Sequence, residues 1–143
     1  MAKPDPRLFD PARYPFRCEI APRFTDLDLN QHINNVAMVD ILQEARVQFH
    51  HATAYDKALA GMTAMTVRFA VDYVGQGHAR GPIVNHLGAI AVGRSSHTLA
   101  QLAMQDGKPV AYAEAVLVCV SGDKPAEMPA SFHAEIANWM RAE

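Results

Sequence analysis

The stretch Phe24 to Arg46, "FTDLDLNQHINNVAMVDILQEAR", decides how this chain is read. Two aspartates, a histidine and three asparagines fall between Asp26 and Asn35, and an apolar run follows at once. From about Asn34 to His50, residues Met38, Ile41, Leu42, Ala45 and Phe49 fall at the i, i+3, i+4, i+7 spacing of one buried helix face. Asp40, Gln43, Glu44 and His51 occupy another side. Val36, Val39 and Val47 widen the apolar surface, so most of the helix is expected to be covered. At about 1.5 Å per residue it is long enough to cross a whole sheet.

Outside this helix the chain reads mainly as strand. Residues 1–13 read as an extended lead and 14–24 as a first strand, with Phe16, Cys18 and Ile20 on one side. In "TVRFAVDYV", Val67, Phe69, Val71 and Tyr73 alternate with Thr66, Arg68, Ala70 and Asp72, the period of two of a strand. A loop at 75–82 leads to strands at about 83–93 and 96–105. Asp106-Gly107 is a hairpin signal, since both residues tolerate positive φ. A last strand runs from Val110 to Val120, and a short amphipathic helix at 130–141 closes the chain. Strand, long helix and four strands joined mainly by short turns predict an antiparallel sheet against one helix, an α+β arrangement. All 143 residues fit one domain with one core. The sheet's other face and its edges need cover, which favours an oligomer.

Composition narrows the function classes. A net charge of -2 gives no general drive toward nucleic acid or acidic membranes. No apolar run approaches the roughly 20 residues of a membrane span. The proline-rich start lacks the apolar core of a signal peptide, so a cytoplasmic location is expected. Cys18 and Cys119 are far apart in strand-like segments and are expected to be free thiols. "GQGHARG" is not GxGxxG and precedes a strand, so it reads as a turn. "GRSSH" lacks the second glycine of a nucleophile elbow. His50 and His51 are adjacent on a helix and point about 100° apart. With no HxxxH and no CxxC, neither a metal nor a cofactor is expected.

The cluster from Asp26 to Asn35 remains. Asn34 or Asn35 can cap the helix, but a cap needs one such residue and this loop supplies six polar side chains. They lie where the first helical turn leaves N–H groups unpaired and where negative charge is favoured. An aspartate just upstream, such as Asp28, can address the same point in space. A carboxylate paired with N–H donors is what ester or thioester cleavage requires: one group attacks or activates water, the other stabilises the developing oxyanion.

These residues carry a resemblance. "DLDLNQHINN" followed by "ILQEAR" resembles the hotdog-fold thioesterases, in the 4-hydroxybenzoyl-CoA thioesterase-like branch with its pattern DxDxxGHxNNxxY. The "DLDxNQHxNN" form is closer still to the acyl-ACP thioesterases of plants. "VRFAVDYVGQ" resembles the family's second strand and "GRSSHTLAQLAMQDGKPVAYAEAVLVCV" its last three, so the likeness spans roughly residues 14–122. The resemblance implies a hotdog fold: a five-stranded antiparallel sheet wrapped around a long central helix, in homodimers or homotetramers with active sites at subunit interfaces. By motif position the catalytic aspartate falls on Asp28, with Asn30 and His32 as further catalytic polar residues. Asn34 and Asn35 match the pair that opens the helix and shapes the site. Gln31 stands where glycine is usual, and Met38 where tyrosine is usual, which removes a hydroxyl near the helix start.

The expected activity is hydrolysis of an acyl-CoA, or of an acyl carrier protein thioester, with Asp28 as nucleophile or general base. N–H groups near Asn34, Asn35 and Val36 would polarise the carbonyl. A thiol with a pKa of about 8.5 leaves without a strong acid. Arg94 and Ser95 are the preferred contacts to CoA phosphates, with His78 and Arg80 as further basic groups nearby. Glu44, on the polar side of the helix, is assigned a structural role. Two alternatives accompany this reading: a hotdog hydratase or dehydratase, and a non-catalytic acyl-thioester-binding protein.

Overall fold

The computed structural model describes residues 4–143. Its centre is helix α1, Asn35–Ala52. Met38, Ile41, Leu42, Ala45 and Phe49 are all buried, the last three completely. The periodic stripe is therefore the surface that the sheet covers. Val36 and Val47 are exposed, so in a single chain the covered part of the helix is narrower than the valines suggested. Thr53 stops the helix, its hydroxyl donating to the Phe49 carbonyl at 2.7 Å.

The antiparallel sheet comprises β1 (Phe16–Ile20), β2 (Thr63–Tyr73), β3 (Ile83–Val92), β4 (Ser96–Gln105) and β5 (Lys108–Ser121). Its order is β1-β3-β4-β5-β2, and β6 (Lys124–Pro125) pairs with β5. Leu87, Leu99, Ala103, Ala113, Ala115 and Leu117 point into the core against α1. The architecture is α+β, with a long helix held against an antiparallel sheet.

Several boundaries differ from the sequence reading for identifiable reasons. The lead is not extended throughout: Pro6–Phe9 and Pro11–Arg13 form 3-10 turns capped by Asp5 and Asp10, while residues 1–3 lie outside the described ones. Leu8, Phe9 and Tyr14 pack with Leu102 and Tyr112, so the lead covers part of the sheet's other face itself. Strand β1 stops at Ile20 because Pro22 has no N–H to give and Phe24–Asp26 turns into a 3-10 helix. A bulge between Thr66 and Arg68 displaces Val67, which is exposed while Phe69 and Val71 pack on the core. A short helix α2, Tyr55–Ala58, follows α1. Helix α3 covers Ala130–Ala137, ending four residues before the expected position. Its continuation pairs with β3 instead: Ala89 N–H donates to Trp139 O and Arg141 N–H to Ala89 O, both at 2.8 Å.

One buried aromatic cluster docks these pieces. The Tyr55 hydroxyl and His97 Nε2 are 2.6 Å apart, and His50 stacks on Tyr55 at 4.0 Å between centroids. Phe132 of α3 meets Tyr55 and His97 edge-on or tilted. Burial pushes both His50 and His97 down to about 4. The folded protein keeps them neutral where the unfolded chain, at about 6.5, takes up protons. Stability is therefore full above about pH 6.5 and is lost as pH falls toward 4, by on the order of 3 kcal/mol per histidine. Urea unfolding at pH 7.5 and at pH 4.5 measures this. A midpoint unchanged between the two would show that these histidines are not held neutral.

Candidate active site

The polar cluster folds as a miniature hairpin. Asp28 N–H donates to His32 O at 2.8 Å, Leu27 bridges Ile33, and Asn34 N–H donates to Asp26 O at 2.9 Å. Asp28 thus stands two ladder positions, about 7 Å of strand, from Asn34, the residue before α1. The loop's partner is the segment 75–79: Ile33 N–H donates to Gly77 O at 2.8 Å and His32 bridges His78. A Cβ on Gly75 would lie 2.5 Å from the Pro109 carbonyl oxygen, so only glycine fits where β2 hands over to this segment. Buried Gln105 holds the rest of it, donating Nε2 to the carbonyls of His78, Arg80 and Gly81 and accepting from His78 N–H.

The polar residues divide by task. Asp26 is buried and structural. Burial raises its carboxyl, but hydrogen bonds from the Arg23 side chain and N–H outweigh this and hold it below the usual carboxylate range. Asn34 is the N-cap: its Oδ1 accepts from Ala37 N–H at 2.7 Å and its Nδ2 donates to Asp26 O at 3.1 Å. Asp28 is exposed, and its Oδ1 accepts from the N–H groups of Asn30, at 2.8 Å, and His32, at 3.1 Å. Its Oδ2 has no partner among the described residues. Neither do the N–H groups of Asn35 and Val36, the two donors of the first turn that Asn34 leaves open.

Two clefts flank this constellation. One, of about 470 Å³, is lined by Phe24, Leu27, Asp28, Leu29 and Gln31. The other, of about 290 Å³, opens between Ile33, Asn35, Met38, Tyr73 and the segment 74–77. Met38 is buried, and near it Tyr73 of β2 donates its Oη to Asn35 O at 2.9 Å. Nothing in the sequence pairs Tyr73 with Asn35, since only the sheet brings them together.

The structure gathers Asp28, Asn30, His32, Asn34, Asn35 and Val36 at one end of the sheet. Arg94 and Ser95 are not among them. They form the turn between β3 and β4, whose opposite ends, Ile83 and Gln105, adjoin the site loop, so about 30 Å of strand intervenes. Arg94 faces Glu127 there, with 3.4 Å between Nε and Oε2. His78 Nε2 is 3.1 Å from Asp106. Glu44 accepts from Gln48 and, with Arg23 and Asp40, lines a third groove of about 410 Å³ beside β1. Cys18 and Cys119 are free thiols. Among the described residues no three His, Cys, Asp or Glu side chains converge as a metal-ligand set, and no helix is long and apolar enough to cross a membrane.

The fold is shared with known proteins. The profile of the Thioesterase-like superfamily matches residues 22–139. Solved structures with the same hotdog arrangement include a thioesterase from Thermus thermophilus complexed with coenzyme A and Zn, 27% identical, with a TM-score of 0.78 over 87% of this chain and 92% of that one. A predicted thioesterase from Bacillus stearothermophilus is 22% identical, with a TM-score of 0.79 over 90% of this chain and 98% of that one. A Staphylococcus aureus protein in complex with CoA is 16% identical, with a TM-score of 0.76 over 85% of this chain and 81% of that one. No curated protein matches the chain by sequence.

Because Asn34 both caps α1 and ties it to Asp26, Asn34→Ala is expected to cost about 1–2 kcal/mol of stability. Thermal unfolding of the variant measures this directly, and an unchanged Tm would show that Asn34 does not hold the helix start.

Proposed function

The chain belongs to the Thioesterase-like superfamily, and from that premise we propose that it hydrolyses an acyl-CoA to the free acid and CoA, with Asp28 as nucleophile or general base. One observation carries this reading. A carboxylate with a free oxygen stands beside a helix start whose first two N–H groups are also free. In the reaction, Asp28 Oδ2 attacks the thioester carbonyl or takes a proton from an attacking water. The N–H groups of Asn35 and Val36 receive the negative charge developing on the carbonyl oxygen, helped by the positive end of the α1 dipole. The thiolate departs without a strong acid, because a thiol's pKa of about 8.5 is low.

The surrounding residues support these roles. The N–H groups of Asn30 and His32 fix Asp28 Oδ1, which aims the other oxygen. Asn30 and His32 would lend their polar side chains to orienting the attacking group or its water. Asn34 acts through the helix it caps. Tyr73 steadies the Asn35 peptide from its carbonyl side.

Asp28→Asn retains an oxygen for the two N–H bonds but not the charge. It is expected to lower kcat on acyl-CoA by about 100-fold or more with the fold intact. Release of free thiol from a panel of acyl-CoAs measures this. Full activity in the variant would remove Asp28 from the mechanism. Enoyl-CoA in the same panel tests hydration, which adds water without releasing thiol.

The working unit is a homodimer or homotetramer. Among the described residues strand β2 pairs only with β5, so its other edge is open. Met65, Val67, Tyr73 and Val74 are exposed along and just beyond it. A second copy would also be the source of Arg94 and Ser95 for the CoA phosphates, since within one chain these residues are remote from Asp28. Light scattering at micromolar concentration is expected to give at least twice the 15.7 kDa of the chain. A monomer at that concentration would rule the arrangement out.

A further inference from the structure

Among the described residues three non-glycines have positive φ: Gln31 at 62°, Ala60 at 54° and Asp106 at 52°. All three sit in tight turns. Asp106 forms the hairpin turn with Gly107, and its carboxylate meets His78. Ala60 ends the turn after α2, with its N–H on Lys57 O and Gly61 following at 89°. Gln31 follows Leu29-Asn30 in the turn of the Asp28–His32 hairpin, a position that takes the left-handed backbone but suits glycine or asparagine. A long, flexible side chain is disfavoured in the left-handed region, which glycine enters freely and asparagine tolerates. Its backbone N–H closes the turn onto Asp28 O at 3.1 Å, a bond that any residue except proline can make. Its carboxamide has no hydrogen-bond partner among the described residues. The fold therefore gains nothing from a glutamine here. The turn needs a left-handed residue but not this side chain, and a strained residue whose side chain the fold does not use is grounds for seeking a functional reason.

The side chain lies in the cleft of about 470 Å³ that also holds Asp28. The other walls are apolar: Leu27, Phe24 at 85% exposure and Leu29 fully exposed. A thioester whose carbonyl is at Asp28 carries its thiol arm into the space beside that residue. In CoA and in acyl carrier protein the arm is the same pantetheine chain, with a secondary amide two methylenes from the sulfur and a second further on. A primary carboxamide among apolar walls complements such a chain, because it can donate to an amide oxygen and accept from an amide N–H. We propose that Gln31 is a substrate-positioning residue that holds the pantetheine arm beside Asp28. This deepens the thioesterase reading and rests on it.

The test uses Gln31→Gly in the full chain, since glycine removes the carboxamide and relieves the backbone. The variant is expected to unfold at the same temperature as the wild type or above it. It is expected to bind CoA about tenfold more weakly by calorimetry. Affinity for adenosine 3′,5′-bisphosphate, which has the phosphates without the arm, should not change. With the phosphopantetheinylated carrier protein the same tenfold loss is expected if the arm comes from a protein, and none with the unmodified carrier. In hydrolysis the loss should appear in KM and leave kcat largely unchanged. CoA affinity unchanged in the variant, or an equal loss for the armless nucleotide, would overturn the assignment. Failure of the wild type to bind either form of the arm would do the same. Binding that depends on Gln31 in a protein that cleaves no thioester would support the assignment while overturning the hydrolase reading.

Discussion

Everything in this molecule is referred to the burial of one face of α1 against the sheet. Leu42, Ala45 and Phe49 are wholly removed from water, each leucine- or phenylalanine-sized side chain contributing roughly 1.5–3 kcal/mol. Register follows from that contact. Once Phe49 is in place, the far end of α1 is fixed beside Phe16, Tyr55 and Trp139, and the near end is fixed over the loop that carries Asp28. A helix held by its apolar face cannot rotate, so the N–H groups at its start point at one place. The buried contact between Arg46 and Gln101, with Gln101 also donating to Leu42 O, adds a polar pin at mid-length.

The start of the helix shows how one stretch serves both fold and chemistry. Six polar side chains crowd the loop, and the structure gives them separate work. Asp26 and Asn34 are consumed in building the helix start, through Arg23, Ala37 and the backbone. Asp28 spends one oxygen on the loop and keeps the other. The free N–H groups remain free because Asn34, as a single cap, reaches only Ala37. A second capping side chain would have closed the site's donors. The constraint is geometric: a helix start has several unpaired donors, and leaving some unpaired gives it a use.

Much of this was legible in the residues, for reasons that can be stated. The α1 stripe was readable because a 3.6-residue period is strictly local. Strand β4 was readable at both ends because Asp106-Gly107 and the Gly93 turn punctuate it. The antiparallel sheet, though not its strand order, followed from the short turns. The bulge at Val67, the 3-10 turns of the lead and the pairing of residues 139–141 with β3 were not readable. Each depends on a partner strand or face distant in sequence. The same holds within the site. The glycine-to-glutamine departure at position 31 was visible as a letter, but its left-handed backbone, which gives that departure meaning, was not.

By itself the sequence determined the elements and the chemical inventory: a helix with one apolar face, antiparallel strands, and a carboxylate upstream of unpaired N–H groups. These are short-range properties, governed by period, turn chemistry and neighbouring residues. Only the tertiary structure decided which of those groups stay free, which are consumed by the fold, and which distant residues join them. Tyr73 reaches Asn35 from another strand, while Arg94 and Ser95 are carried to the far end of the sheet. The reason is that a hydrogen-bonding group is available for chemistry only when no partner has claimed it, and partners are assigned by packing in three dimensions.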